Sequence, residues 1–318
     1  MQATIETVRG FWDRRPCNIR HSPEPVGTRS YFDQVERRKY FVEPHIPGFA
    51  DFARWRGKKV LEVGCGIGTD TVNFCRAGAA VTAVDLSGES LSITARRLEV
   101  YGLRAELHQA NAEELTCIQD DQYDLVYSFG VLHHTPNPAA AVAQCRRVLK
   151  PGGELRVMLY NSASYKVVWA WLKYVGRGRG WDWRKAIQYY AEAQTGCPVA
   201  QSYTDRQARD LLRHFEVISI ANDHIFPYVI RDYVRYRYRK AWCFRILPAS
   251  VLRRLERRFG WHKLIIARKP ACSLQRENCA RAYESSPPSA CGPRATHVQA
   301  LQSVARKRVK SKCEARTA

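Results

Sequence analysis

The chain has 318 residues, 45% of them hydrophobic, and a formal net charge of +21. That length suits one large α/β domain with additions or two small domains, and no apolar run approaches the ~20 residues of a membrane span. So large a positive excess calls for an anionic partner: nucleic acid, an acidic membrane surface or an anionic substrate. The eleven cysteines are scattered without a CxxC pair, which indicates neither a zinc site nor a disulfide framework and points to reduced thiols. The first residues, Met1 to Glu6, lack the basic-then-apolar pattern of a signal peptide. The expected location is therefore cytoplasmic.

Residues 1–55 are polar and mixed, with Phe11-Trp12 and prolines at 16, 23 and 25. They read as an N-terminal helical cap, with a helix over Tyr31 to Val42 that Pro44 ends. From residue 59 the pattern becomes strand, helix, strand. Strands are expected at 59–63, 81–85, 105–109, 123–128 and 153–160, and helices at about 69–78, 87–101 and 138–149. The last of these helices should stop at Lys150-Pro151-Gly152-Gly153, where proline blocks continuation and glycine turns the chain. Residues 161–203 carry Trp169, Trp171, Trp181 and Trp183 and read as an insertion over an active-site mouth. A capped helix starts at Thr204, and strands resume at 216–221 and 263–268. Between them lies a second insertion, 223–260. Its segment 228–260 holds ten basic against two acidic residues, with aromatic and cationic side chains alternating from Arg231 to Lys240. Residues 56–270 thus form the main domain, and 271–318, rich in Ser, Ala, Arg, Lys and Cys, read as a disordered basic tail.

The most informative segment is Val60-Leu61-Glu62-Val63-Gly64-Cys65-Gly66-Ile67-Gly68, followed about twenty residues later by a strand that ends in Asp85. A strand entering a glycine-dense turn, a helix, and a second strand closed by a carboxylate is how a parallel sheet holds an adenosine-containing ligand. Asp85, with Leu86 beside it, can accept from both ribose hydroxyls. The glycines let backbone approach the ligand, and Cys65 is a small side chain in the same turn. The spacing departs from Gly-x-Gly-x-x-Gly, with Thr69 at the last position, and no Gly-Lys-Ser/Thr follows, which excludes a triphosphate loop. Glu62 places a second carboxylate where a ligand ammonium could be met. A ligand with a ribose, an amino-acid tail and no phosphate fits better than NAD.

These residues resemble motif I of the class I S-adenosylmethionine-dependent methyltransferases, and the similarity runs over about residues 8–270. The resemblance implies a Rossmann-like, seven-stranded, mostly parallel sheet in the order 3-2-1-4-5-7-6, with helices on both faces. It also implies that Asn111-Ala112, after the third strand, meets the adenine, although related enzymes usually carry Asp-Ala there. Phe129 to His134, after the fourth strand, falls beside the sulfonium by the rule that ligands sit at the carboxyl ends of parallel strands. An oxygen or nitrogen acceptor must lose a proton, and His133 and His134 are the candidates to take it. Phe11-Trp12 resembles the aromatic segment with which small-molecule members close over the cofactor; it can equally be a surface helix packed on the core. The nearest look is to bacterial ubiquinone/menaquinone-biosynthesis methyltransferases, which implies a small-molecule acceptor. The basic insertion at 228–258 then suits anionic lipid headgroups. A nucleic-acid methyltransferase is the alternative, although the loop after the fourth strand lacks the Asn/Asp-Pro-Pro-Tyr/Phe of amino-methylating DNA enzymes. A protein that binds the cofactor without chemistry is the third reading.

Overall fold

The computed structural model describes residues 3–192 and 195–271. In chain order these form α1 (Ile5–Arg14), α2 (Arg29–Val42), α3 (His45–Ala50), β1 (Lys59–Val63), α4 (Thr69–Arg76), β2 (Ala80–Asp85), α5 (Gly88–Tyr101), β3 (Glu106–Gln109), β4 (Tyr123–Phe129), α6 (Pro138–Val148) and β5 (Leu149–Asn161). There follow α7 (Tyr165–Val175), α8 (Trp183–Tyr190), β6 (Ser202–Tyr203), α9 (Asp205–Leu211), β7 (Glu216–Asp223), α10 (Ile230–Tyr233), α11 (Trp242–Ile246), α12 (Ala249–Phe259) and β8 (His262–Arg268). The tail expected over 271–318 lies outside the described residues except for Ala271. Among the described residues every cysteine is a free thiol, and no helix is long and apolar enough to cross a membrane.

The sheet runs β3-β2-β1-β4-β5-β8-β7, with the two-residue β6 also paired to β5. All pairings are parallel except β5 with β8 and β8 with β7. With the short β6 left out of the count, this is the expected Rossmann-like order. The two-residue period of the strands divides the core. Leu61, Val63, Val126, Leu155, Val157 and Leu159 face one apolar cluster with Val142 and Val148 of α6 and Leu212 after α9. Val60, Leu125, Tyr127, Met158 and Tyr160 face the other, with Phe11, Phe49 and Phe74. The N-terminal helices therefore share a core with the sheet.

Local chemistry explains the element ends. Thr28 caps α2 by accepting from the Tyr31 N–H, Ser87 caps α5 from the Ser90 N–H, and Gly102 ends α5 in the left-handed conformation. Thr204 and Gln207 form a reciprocal capping box on α9. One expectation is corrected. The stretch from Leu149 to Gly153 is not a turn after α6 but the first part of β5: Leu149 already pairs with Tyr123, and the Gly152 N–H donates to the Lys269 carbonyl at 2.9 Å.

Arg97 of α5 is fully buried and binds the cap and the glycine turn together. Its guanidinium donates to Thr69 Oγ1 (2.6 Å), to the Ile67 carbonyl (3.3 Å), to the Phe32 carbonyl (3.2 Å) and to Glu36 (3.2 Å). Burial lowers its pKa, and Glu36 opposes that shift. Replacing one member of a buried, hydrogen-bonded ion pair costs about 3–5 kcal/mol. Arg97→Met should therefore lower the urea unfolding free energy by roughly 3 kcal/mol, whereas Arg96→Met, on the exposed face of α5, should change it by less than about 0.5 kcal/mol.

Candidate functional site

The carboxyl ends of β1, β2, β4 and β5 open into a cavity of about 310 Å³. Its first wall is the turn after β1. Gly64, Gly66 and Gly68 all have positive φ, at 80°, 55° and 72°, but they serve different ends. A Cβ on Gly64 would stand 2.2 Å from Val131, and one on Gly68 would stand 2.7 Å from Thr94, whereas one on Gly66 would meet nothing within 4 Å. Gly66 is thus the position where bare backbone faces open space, and the other two allow close packing. Gly64 and Cys65 also line the cavity; Gly68 does not.

Asp85, at the end of β2, lines the same wall. Its Oδ2 accepts from the Gly66 N–H (2.8 Å) and its Oδ1 from the Ser87 N–H (2.9 Å). Burial pushes this carboxyl up, and the backbone donors hold it down. Each oxygen keeps lone-pair capacity, so the group can accept from a vicinal diol. Leu86, Asn111, Ala112 and Phe129 line the cavity as well. Asn111 Oδ1 already accepts from the Glu113 N–H at 3.0 Å in a local turn, with capacity for one further donor.

Three expected residues are placed elsewhere. Gly68 is one. Glu62 is buried behind the turn and accepts from Thr71 Oγ1 at 2.5 Å; burial and the neighbouring Asp70 push its carboxyl up to about 8. The cavity cation on this side is Lys39, paired with Asp70 at 2.9 Å. His133 has no exposed surface, lies with its ring centroid 3.7 Å from that of Tyr160, and is held neutral by burial, well below the usual histidine range.

His134 does line the cavity, within a polar network absent from the sequence reading. Its Nδ1–H donates to the Val199 carbonyl (2.7 Å), and its Nε2 lies 3.3 Å from Tyr160 Oη and 3.5 Å from Glu192 Oε1. Tyr160 donates its hydroxyl to Glu192. Burial disfavours the charged imidazole, but Cys197 and Glu192 outweigh it and push the pKa up to about 10. Glu192, despite burial, is held down at about 2 by His134, Lys166 and Tyr160. His134 and Glu192 thus form a charged pair in the cavity wall, in which only the carboxylate has free acceptor capacity. Nothing local marks residue 192: it follows α8 inside the insertion, 58 positions from His134.

Trp12 of α1 roofs the cavity, edge-on to His134 with ring centroids 5.3 Å apart, while Phe11 sits in the core. The segment is thus a helix packed on the core, with Trp12 also reaching the cavity. The four tryptophans expected around the mouth do not line the cavity, and Trp181 is 72% exposed. The insertion supplies Lys166, Ala191 and Glu192 instead.

Residues 60–153 match the family model described as a methyltransferase domain. Over 99 residues the chain is 37% identical to a ubiquinone biosynthesis O-methyltransferase of Aromatoleum aromaticum, and equally to one of Klebsiella pneumoniae. Those matches take in 31% of this chain, and the chain spans about two fifths, 42% and 41%, of these relatives' length. Among solved structures, the cyclase SpnF aligns with TM-score 0.53 at 19% identity over 85% of this chain and 98% of its own. Magnesium protoporphyrin IX methyltransferase from Synechocystis aligns with TM-score 0.52 at 16% identity over 84% and 100%. At these identities the structures show the fold. The resemblance to S-adenosylmethionine-dependent methyltransferases stands on the matched segment, which carries the glycine turn, Asp85 and Asn111.

The His134–Glu192 pair dictates a pH signature. His134 is raised above its unfolded value of ~6.5, so its contribution is full below that pH and is lost as pH rises through about 10. Glu192 is depressed, so its contribution is present above ~4.5 and lost as pH falls through about 2. The unfolding midpoint of the parent chain should exceed that of Glu192→Gln most between about pH 4.5 and 6.5, and the gap should close towards pH 10. A pH series of thermal unfolding curves measures it.

Proposed function

We propose that the chain transfers the methyl group of S-adenosylmethionine to a hydroxyl oxygen of a small, amphiphilic acceptor. The observation that carries the reading is one cavity lined both by Asp85 with the glycine turn and by Glu192, Tyr160 and His134. The first group has the chemistry of a ribose and its amino-acid tail. The second has the chemistry of a hydroxyl that must lose its proton.

The residues present fit the cofactor. The Asp85 carboxylate retains acceptor capacity for the ribose diol, Gly66 leaves main chain bare beside it, and Lys39 offers a cation for the tail carboxylate. When bound, S-adenosylmethionine supplies an electrophilic methyl group on a positively charged sulfur. The protein then has to orient the acceptor and keep water out. Trp12 above, with Tyr160 and Trp261 stacked at 4.0 Å between ring centroids, supplies flat apolar walls for an acceptor ring. Glu192 takes the hydroxyl proton directly or through Tyr160, and His134 fixes the carboxylate by charge and hydrogen bond. The curated relatives are named for O-methylation in ubiquinone biosynthesis, which supports a ring hydroxyl as the acceptor.

An anionic membrane surface is the proposed second partner. In the insertion after β7, Trp242 and Ile246 of α11 are 75% and 73% exposed, and α12, next in the chain, carries Arg253, Arg254, Arg257 and Arg258. Apolar side chains next to arginines suit the headgroup boundary. A solvated cationic face or a nucleic acid contact are the other outcomes of the test. The full chain should co-sediment with vesicles containing anionic lipid and not with neutral ones, and Trp242→Ser with Ile246→Ser should weaken this several-fold. Equal, weak sedimentation with both vesicles and tight binding to tRNA would move the nucleic-acid reading ahead.

For the catalytic reading, calorimetry with S-adenosylhomocysteine should show one site per chain. Asp85→Ala should weaken it by about 30- to 1000-fold, the loss of two charge-assisted hydrogen bonds. Glu192→Gln should leave that affinity within about twofold and lower methyl transfer to hydroxylated ring acceptors by roughly 10²–10⁴-fold. No heat with S-adenosylhomocysteine and no effect of Asp85→Ala would remove the proposal.

A further inference from the structure

The far end of the cavity holds histidines that neither the glycine turn nor the His134 network uses. Glu43 follows α2, His224 lies between β7 and α10, and His262 opens β8; all three line the cavity. One donor atom from each lies within 4.8 Å of the others, and Glu43 Oε1 stands 3.6 Å from His262 Nε2. Among the described residues nothing donates a hydrogen bond to the Glu43 carboxylate or bonds to the His224 ring nitrogens. A half-buried carboxylate and two buried imidazoles thus face one space, with the Glu43 oxygens and the His224 ring nitrogens free to take a ligand.

We propose that Glu43, His224 and His262 bind a divalent transition-metal ion at the acceptor end of the cavity, with coordination positions left open towards it. Two imidazole nitrogens and one carboxylate oxygen, without a thiolate, suit Zn²⁺, Fe²⁺, Mn²⁺ or Co²⁺. Donors on a four-coordinate ion with bonds of ~2.0–2.1 Å stand about 3.3 Å apart. The observed spacings close to that by small side-chain rotations.

Two further features fit a ligand set. First, His262 Nδ1 lies 3.0 Å from His45 Nε2, and His45 Nδ1 lies 3.8 Å from Asp223 Oδ1. With Nδ1–H of His262 donating to His45, the Nε2 lone pair of His262 is bare towards Glu43. A hydrogen bond at the far ring nitrogen, here between His262 and His45, orients a metal-bound imidazole in this way. Second, His224 sits in the left-handed region with φ 71°, held by its N–H to Asp223 Oδ1 (2.7 Å) and by the Trp261 N–H to its carbonyl (2.9 Å). A non-glycine residue locked there costs free energy, and such strain clusters at functional positions.

Metal binding itself is independent of the methyl-transfer proposal; only its assignment to the acceptor end rests on that proposal. The ligand class for the open positions is an acceptor bearing hydroxyl or carboxylate oxygens.

Co²⁺ titrated into the full chain under phosphine-reduced conditions tests this. The expected result is one equivalent bound, with visible d–d absorption and no sulfur-to-metal charge transfer, and a raised thermal midpoint. Glu43→Gln and His224→Ala should each weaken binding by more than about 100-fold, and His45→Phe by about 10- to 100-fold. His214→Ala, at an exposed histidine, should leave it unchanged. Absence of Co²⁺ binding by the parent chain overturns the proposal. So does binding that shows sulfur charge transfer and persists in Glu43→Gln. Circular dichroism on the same samples reports whether each variant is folded, and S-adenosylhomocysteine calorimetry is run beside it. The calorimetry separates the two proposals: Co²⁺ binding without nucleoside binding sinks the methyl-transfer reading alone.

Discussion

The buried ion pair between Lys39 and Asp70 is the constraint on which the site depends. Asp70 is 1% exposed, in the first turn of α4, where the helix dipole favours a negative charge. Its Oδ1 accepts from Lys39 Nζ (2.9 Å) and Tyr40 Oη (2.8 Å) of α2, and its Oδ2 from Tyr127 Oη (3.0 Å) of β4. One carboxylate thus joins the N-terminal helices, the helix after the glycine turn and the central strand. Burial disfavours the charge on Lys39, and Asp70 outweighs it. The same contact holds Lys39 in the cavity wall. Since Arg97 fastens α2 to the turn from the other side, the cap is a fixed part of the site.

That fixed cap gives one cavity two unlike linings. At the Asp85 end the donors are backbone N–H groups, set by the turn itself and requiring no side-chain ordering. At the Glu192 end they are side chains drawn from β5, the loop after β4 and the insertion after α7. Trp12 and Glu43 come from the cap and reach towards that second end, so the roof and the floor are built from one segment. A 19%-identical cyclase shares the fold, and a fold of this kind leaves the chemistry to the residues that line it.

The glycine spacing, Asp85 and the strand periods were readable because each is local: residues a few positions apart meet in one turn or one strand. That Glu192, Tyr160, Glu43, His224 and His262 line one cavity was not readable. They stand far apart in the chain and meet only after the cap closes on the sheet and β8 enters antiparallel beside β5. His133 and His134 show the limit of local reading: adjacent in sequence, one turns into the core and the other into the cavity. Glu62 shows it again. On a strand buried on both faces, a side chain two residues before the turn points behind the sheet's carboxyl edge and finds Thr71 before it finds a ligand.

Composition carried less than it suggested. The +21 net charge is concentrated: residues 228–260 hold ten basic and two acidic residues, and 271–318 hold nine and three. The cavity has a different balance. Lys39 and Lys166 face Asp85, Glu43 and Glu192 there, with the histidines His224 and His262 held neutral by burial and His134 charged against Glu192. A near-balanced interior beneath a cationic insertion separates two electrostatic tasks. The outer charge acts over roughly a Debye length, ~8 Å at physiological salt, on any anionic surface that approaches it. The inner charges act at contact distance and out of solvent, where each unpaired one would be costly. Charge excess on the surface therefore says nothing about the charge of what enters the cavity.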